Sequence, residues 1–164
     1  MTSLTSPRRW TDLSAAETEQ ASLVDANLLL WAHHAQFPQH EPARRWWSGL
    51  LSSNVPVGIP WPSILAFLRI STHPSALERQ LEIGIAWQVV EGWLARPNAF
   101  SPLPSERHAP ILKHLLVSTR ARGNHIPDAH LAALALEWGL LLCSADHDFS
   151  CYPGLRWRDP LVGA

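Results

Sequence analysis

The sequence predicts an α/β protein with a central, mostly parallel sheet of four or five strands covered by helices on both faces. Short, strongly apolar runs alternate with longer segments of helical apolar spacing. Strands separated by helices usually pair in parallel through crossover connections. Acidic residues stand where several of these segments begin or end. With 164 residues, the chain is large enough for about one domain, and we expect three layers, α/β/α.

The first part of the chain alternates strands and helices in this way. Residues 22–25 form a short apolar strand, and residues 27–34 continue as a helix by their apolar spacing. Residues 41–52 carry a proline near the first turn and an amphipathic pattern, which predicts a second helix. Residues 55–59 are rich in β-branched side chains and predict a strand. Residues 1–19 lack an apolar period and are expected to be a poorly ordered or helical leader before a domain over 20–164.

The second part repeats the alternation. Pro62 marks the start of a helix over 63–72, and Gly139 ends a helix rich in Ala and Leu over 129–138. Residues 140–143 are continuously apolar, as expected for a buried strand. The remaining predicted elements are helices over 75–83, 85–95 and 106–121 and short strands over 99–103 and 155–158.

Composition narrows the class of protein. The formal charge of -1 and a pI of about 6.7 give no bulk attraction to nucleic acid, although nearly all basic residues are arginines, whose planar fork suits phosphate. The two cysteines, Cys143 and Cys151, match neither a zinc site nor a disulfide framework. No run of 18 apolar residues and no signal peptide is present. We therefore expect a cytoplasmic protein that does not associate with membranes.

Four carboxylates are placed where chemistry is expected in such a fold. Asp25 ends the first strand, Asp128 stands beside a helix start, and Asp146 and Asp148 follow the strand over 140–143. Carboxylates gathered at the strand ends of a parallel sheet repel one another, and a divalent cation would relieve that repulsion. Hard oxygen ligands favour Mg²⁺, with Mn²⁺ possible, and such an ion can activate water. The alternatives are helix caps at Asp25 and Asp128 and turn formers at Asp146 and Asp148.

Three sequence blocks carry a family resemblance. They are Leu23-Val24-Asp25-Ala26-Asn27, Pro127-Asp128-Ala129-His130 and Ser144-Ala145-Asp146-His147-Asp148-Phe149, in this order. Together they resemble a PIN domain of the VapC toxin type, from about residue 22 to 161. The resemblance implies a PIN-like fold and an Mg²⁺-dependent ribonuclease of a type II toxin-antitoxin pair. It also implies inhibition by a VapB-like antitoxin, a homodimer, and cleavage of a structured RNA such as tRNA or rRNA.

The same resemblance assigns roles by position. Asp25 and Asp128 correspond to metal ligands, and Asp146 completes the acidic cluster. Asn27 and Ser144 correspond to residues that orient waters or backbone near the site. Asp148 is expected to hold the loop together or to support the ligands.

One departure from the family pattern affects the expected activity. The family usually has a glutamate on the helix after its second strand, and this position falls on Ala66, with Phe67 as the alternative; no acid lies between Glu41 and Glu78. Arg69 on the same helix is a hypothetical replacement that would pair with an acid or hold the scissile phosphate. The alternatives are a catalytically weakened PIN module that binds RNA or an antitoxin, and a nuclease outside any toxin pair.

Several aromatic residues and histidines also have two interpretations. Trp61 and the Trp46-Trp47 pair could stack on RNA bases, but packing in the core or against an antitoxin is the preferred interpretation. Histidines that flank the acids are candidates for a general acid or base, although a solvated or hydrogen-bonded histidine is the commoner case. These histidines are His73, His130 and His147.

Overall fold

A computed structural model describes residues 21–162 of the chain. Its five strands form one sheet in which every pairing is parallel. The strand order is β3-β2-β1-β4-β5. The strands are β1 (Ser22–Val24), β2 (Val57–Gly58), β3 (Ala99–Phe100), β4 (Leu141–Cys143) and β5 (Trp157–Arg158). The predicted parallel α/β sheet is therefore confirmed.

Between residues 21 and 162, six α-helices connect these strands, and a short 3₁₀ helix at His147–Cys151 follows β4. The α-helices are α1 (Ala26–His33), α2 (His40–Leu51), α3 (Trp61–Ser71), α4 (Ile83–Leu94), α5 (His108–Thr119) and α6 (His125–Trp138).

Two helix predictions differ from the structure. The helix predicted over residues 75–83 is wrong, because residues 72–82 form turns and bends. Of this segment only Leu77 is buried, so no apolar stripe is available to pack a helix onto the domain. The second difference is that α6 begins at His125 rather than at residue 129, which places Pro127 and Asp128 inside its first turns.

The helices cover both faces of the sheet, which confirms the three layers. In β1, Val24 packs into a core formed with α1 to α4, whereas Leu23 packs into a core formed with α5 and α6. In β4, Cys143 and Leu142 divide between the two cores in the same way. Successive side chains of a strand point to opposite faces, so these short apolar strands supply both cores at once.

A buried polar cluster joins α5 to α6. The Glu137 side chain is 2% exposed and lies 3.0 Å from Nδ1 of His108, whose Nε2 lies 2.9 Å from Nδ1 of His130. Ser105 donates to Glu137 through both its backbone N–H and its hydroxyl. Both carboxylate oxygens of Glu137 therefore have hydrogen-bond partners, as the burial of a charged group requires.

The predicted leader over residues 1–19 lies outside the described residues, so the domain boundary near residue 20 stays a prediction. Within residues 21–162, no helix is long and apolar enough to span a membrane.

Candidate active site

The carboxyl ends of β1 and β4 meet at the centre of the sheet. The chain places β2 and β3 on one side of β1, then β4 and β5 on the other. Ligands of open parallel sheets bind in the crevice at such a reversal of strand order. Asp25 and Ser144 directly follow these two strands, and the Asp25 N–H donates to the Cys143 carbonyl at 3.0 Å. Two of the predicted site residues are thus neighbours.

The Ser144 hydroxyl connects three of the predicted residues. It is fully buried and donates to Oδ2 of Asp25 at 2.7 Å. It accepts from Nδ2 of Asn27 and from the backbone N–H of Asp146, both at 3.0 Å. One hydroxyl therefore fixes the ends of β1, α1 and the loop after β4 relative to one another.

Asp25 is both a helix cap and a site residue. Its Oδ1 accepts the Ala26 N–H at 2.7 Å at the start of α1, as the capping alternative anticipates. Burial raises the pKa of Asp25, the Ser144 and Ala26 hydrogen bonds oppose this, and the Asp146 charge raises it further. The net direction is upward, so the environment of Asp25 disfavours its negative charge.

Asp128 approaches the same cluster from the first turns of α6. Burial is the largest cause that raises its pKa to about 6, followed by the charges of Asp25 and Asp146. His125 opposes the rise, with its Nδ1 3.7 Å from Oδ2 of Asp128. The carboxylates of Asp25, Asp128 and Asp146 therefore repel one another. Within residues 21–162, His125 is the one group whose charge opposes the rise in the pKa of Asp128.

Asp146 makes the loop-holding contact that the sequence interpretation gave to Asp148. The carboxylate of Asp146 caps the 3₁₀ helix, with Oδ1 accepting the Asp148 N–H at 2.9 Å. Asp146 therefore holds the loop together in addition to facing Asp128. The Asp148 side chain is 66% exposed and lies 4.0 Å from Nδ1 of His125.

Asn27 contributes an oxygen that has no partner. Its Nδ2 is held by Ser144, whereas its Oδ1 is buried and accepts no hydrogen bond within the described part of the chain. A buried acceptor of this kind is uncommon and indicates a missing water or ligand.

The structure does not bring Arg69 to the acids. Arg69 is exposed on the last turn of α3, and across residues 21–162 no hydrogen bond or ion pair joins it to a carboxylate. The position of the family glutamate, Ala66, is half-buried one turn earlier. Arg69 therefore does not replace the absent acid as a direct contact.

His130 and His147 make hydrogen-bonding, ionic or ring contacts away from the acidic cluster, in agreement with the preferred interpretation of these histidines. His130 faces His108 on α5, and His147 lies 3.9 Å from Asp159 and packs its ring against Trp157. The sequence reasoning missed His125, which lies between Asp128 and Asp148. The i,i+3 spacing of His125 and Asp128 predicts such a contact within a helix. The predicted helix began at residue 129, so this spacing did not apply to the two residues.

The donor set suits a hydrated divalent cation. No group of three or more His, Cys, Asp or Glu side chains in residues 21–162 converges closely enough to enclose a metal ion. Mg²⁺, however, is commonly held by one or two carboxylates and keeps several waters. The unneutralised carboxylates of Asp25 and Asp128 and the unpartnered Asn27 oxygen fit this mode of binding.

Comparison with known proteins identifies the family. The PIN domain family model matches residues 22–155. Ribonuclease VapC37 of Mycobacterium tuberculosis is 41% identical over 138 residues, which cover 84% of this chain and 96% of the relative. The chain belongs to the VapC ribonuclease family of PIN-domain proteins. VapC ribonuclease Mb2897 of Mycobacterium bovis is 38% identical over 140 residues, covering 85% of this chain and 95% of that protein. The resemblance seen in the three sequence blocks is thus confirmed.

A solved structure supports the VapC fold independently. The crystal structure of VapBC2 from Rickettsia felis bound to a DNA fragment from their promoter contains a chain that superposes with a TM-score of 0.61. The match covers 84% of this chain and 97% of that chain at 13% identity. At this identity the likeness establishes the fold alone, and it confirms the PIN-like three-layer architecture.

Proposed function

We propose that this VapC family member is an Mg²⁺-dependent endoribonuclease and the toxic component of a type II toxin-antitoxin pair, with Mn²⁺ as an alternative ion. The observation that carries the proposal is the cluster of Asp25, Asp128 and Asp146 at the carboxyl ends of β1 and β4, in which like charges remain unneutralised. A site that holds excess negative charge at the crevice of a parallel sheet is suited to a divalent cation and a phosphate.

Each site residue has a distinct part in the proposed reaction. Asp25 and Asp128 would hold the ion, with Asp146 close by, directly or through waters. When bound, the ion would lower the pKa of a water nucleophile and stabilise charge on the phosphate. Ser144 keeps the Asp25 carboxylate oriented through its 2.7 Å hydrogen bond. The free Oδ1 of Asn27 would position a water.

The proposed partners are those that the family resemblance implies. The VapBC2 structure contains a toxin together with its antitoxin, which supports a VapB-like partner for this chain. A structured RNA such as tRNA or rRNA is the proposed substrate, and a homodimer is the proposed assembly. The Trp46-Trp47 pair, for which packing in the core or against an antitoxin was expected, lies on α2. Trp47 is buried and Trp46 packs against the core. Partner contacts are therefore better sought on exposed apolar residues elsewhere, such as Ile83 and Ile85 on α4.

A second candidate function is an RNA- or antitoxin-binding module with weakened catalysis. The observation that favours it is Ala66, which leaves the α3 side of the site without the usual acid. The two functions differ in whether the chain cuts RNA at all.

The test is expression in a bacterial host followed by cleavage of total RNA with the purified protein in Mg²⁺ or EDTA. We expect growth arrest and discrete RNA cuts in Mg²⁺ only. Asp25→Asn should reduce cleavage by at least roughly 100-fold, whereas Glu106→Gln, an exposed acid on the loop before α5, should not. RNA binding without any Mg²⁺-dependent cut would favour the second candidate.

A further inference from the structure

Trp61 stands at the rim of the acidic cluster. It begins α3 directly after β2, and the parallel register pairs Leu23 of β1 with Gly58 of β2. Continuing this register by two residues places Pro60 level with Asp25. Neighbouring strands lie about 4.8 Å apart and rise about 3.3 Å per residue, so the Trp61 backbone lies within roughly 10 Å of that of Asp25.

The Trp61 indole is available to a ligand. Trp61 is 39% exposed. Its indole makes no hydrogen bond and no contact with another aromatic ring within residues 21–162. Trp47 and Trp93, by contrast, are each 3% exposed and pack edge to face against each other in the core. The exposed part of the Trp61 ring is therefore available for stacking, whereas the rings of Trp47 and Trp93 are not.

The opposite rim is basic. Residues 120–124 connect α5 to α6 and lead directly to Asp128, and Arg120 and Arg122 of this loop are exposed. Neither guanidinium forms a hydrogen bond or ion pair within residues 21–162. Arg120 also adopts the left-handed conformation, with φ of 53°, as the C-cap of α5. Two arginines whose guanidinium groups lack a hydrogen-bond or ion-pair partner in residues 21–162 thus lie in the loop that leads to Asp128, on the face of the sheet opposite α3.

We propose that Trp61 stacks on a base of the RNA next to the scissile phosphate, while Arg120 and Arg122 bind backbone phosphates on the other side of the acids. This inference rests on the proposed ribonuclease function and assigns positioning residues to it. The RNA strand would cross the site from α3 to the α5–α6 loop. Every base has an aromatic face, so stacking on Trp61 would position the strand without selecting one base. The arginines would attract phosphates that the acidic cluster alone repels.

The exposed face of α3 has a competing occupant. Leu65, one turn after Trp61, is 58% exposed, and an apolar pair of this kind also suits a protein partner. The arginines in the loop that leads to Asp128 and the start of α3 level with the end of β1 favour RNA. The experiment below includes the antitoxin as an outcome.

Binding of a fluorescein-labelled RNA oligonucleotide centred on the mapped cut is measured by anisotropy in EDTA, where no cleavage occurs. Trp61→Ala and Trp61→Leu should weaken binding by roughly 10-fold, and Trp61→Phe should restore most of it because the stacking face is kept. Trp87→Ala is the matched control, because Trp87 is 38% exposed on α4 and bonds to Glu91. An RNA with an abasic nucleotide beside the cut should bind the wild type more weakly than the intact RNA does. With this abasic RNA, the wild type and Trp61→Ala should have the same affinity.

The arginines are tested through salt dependence. Arg122→Ala should lower the slope of log Kd against log salt by about 0.7, the value for one phosphate contact on a single strand. Arg96→Ala, an exposed arginine after α4 at the opposite edge of the sheet, should leave the slope unchanged.

The outcomes separate this inference from the proposed function. If the wild type cuts RNA but Trp61→Ala and Trp61→Leu bind it as tightly as the wild type, the stacking role is overturned and the ribonuclease stands. If Trp61→Ala and Leu65→Ala weaken antitoxin binding equally and RNA binding not at all, the face is a protein interface and the inference is overturned. If the wild type cuts no RNA, both fall.

Discussion

Replacing Asp128 by asparagine should stabilise the metal-free protein at neutral pH. Its pKa is raised from 3.8 to about 6, mainly by burial and then by the charges of Asp25 and Asp146. This rise corresponds to about 3 kcal/mol of unfavourable interaction with the ionised carboxylate. Its side chain is 26% exposed, so solvent screens part of the repulsion. We therefore expect Asp128→Asn to raise the free energy of unfolding by about 1–2 kcal/mol at pH 7.5.

The pH dependence follows from the same shift. Below about pH 4 the carboxyl of Asp128 is protonated in both the folded and unfolded states and carries no penalty. Between about pH 4 and 6 the unfolded chain releases this proton first, so the folded state binds more protons and the free energy of unfolding falls as pH rises. Asp128→Asn removes this fall, so the gain in stability should be present at pH 7.5 and absent below about pH 4.

Thermal denaturation in EDTA measures the effect. For a chain of this length, 1–2 kcal/mol corresponds to roughly 2–8 °C in Tm. Asp148→Asn is the control, because its 66% exposed carboxylate should change stability by less than about 0.5 kcal/mol. A lower Tm for Asp128→Asn at pH 7.5, or a gain of the same size at pH 3.5, would refute the reasoning. Added Mg²⁺ should narrow the gap by stabilising only the wild type.

Three further predictions concern stability. Ser144→Ala removes three hydrogen bonds and should lower the free energy of unfolding by about 2–3 kcal/mol in urea denaturation; a change below 0.5 kcal/mol would contradict its central role. Gly58→Ala puts a Cβ 3.2 Å from Leu23 Cδ1 and should lower the free energy of unfolding by about 1–3 kcal/mol. Gly92→Ala lies in open space on α4 and should raise it by about 0.5–1 kcal/mol. The two variants should therefore shift Tm in opposite directions. Glu137→Ala removes the acceptor of the Ser105 and His108 hydrogen bonds and should cost about 2–3 kcal/mol, so a near-neutral result in the same urea assay would show that this buried cluster does not stabilise the fold.

The fold was predictable because its signals are local. Apolar runs of strand length, the Gly139 stop after α6 and the Pro62 start of α3 each reflect backbone or burial preferences of single segments. The helix predicted over residues 75–83 was wrong because the segment has a helical composition but does not pack on the domain. Only the tertiary structure shows that Leu77 alone is buried there.

The candidate site was predictable in part for a different reason. Asp25 and Ser144 follow buried parallel strands, and topology alone brings such positions together. The contacts of His125 and the exposure of Arg69 depend on where a helix begins and which way it faces, which neither spacing nor composition fixes. Likewise, the bond between Glu137 and His108 joins residues 29 apart and has no sequence signal.

The bond between Ser144 and Asp25 also has a consequence for synthesis. The two residues are 119 positions apart, and a ribosome adds about 5–20 residues per second, so roughly 6–24 s separate their appearance. During this interval β1 lacks its β4 neighbour, and the Asp25 carboxylate lacks its serine donor. A nascent chain that has not reached Ser144 therefore cannot assemble the acidic centre. Any activity of that centre can begin only after residues 128, 144 and 146 have been made and have folded against β1.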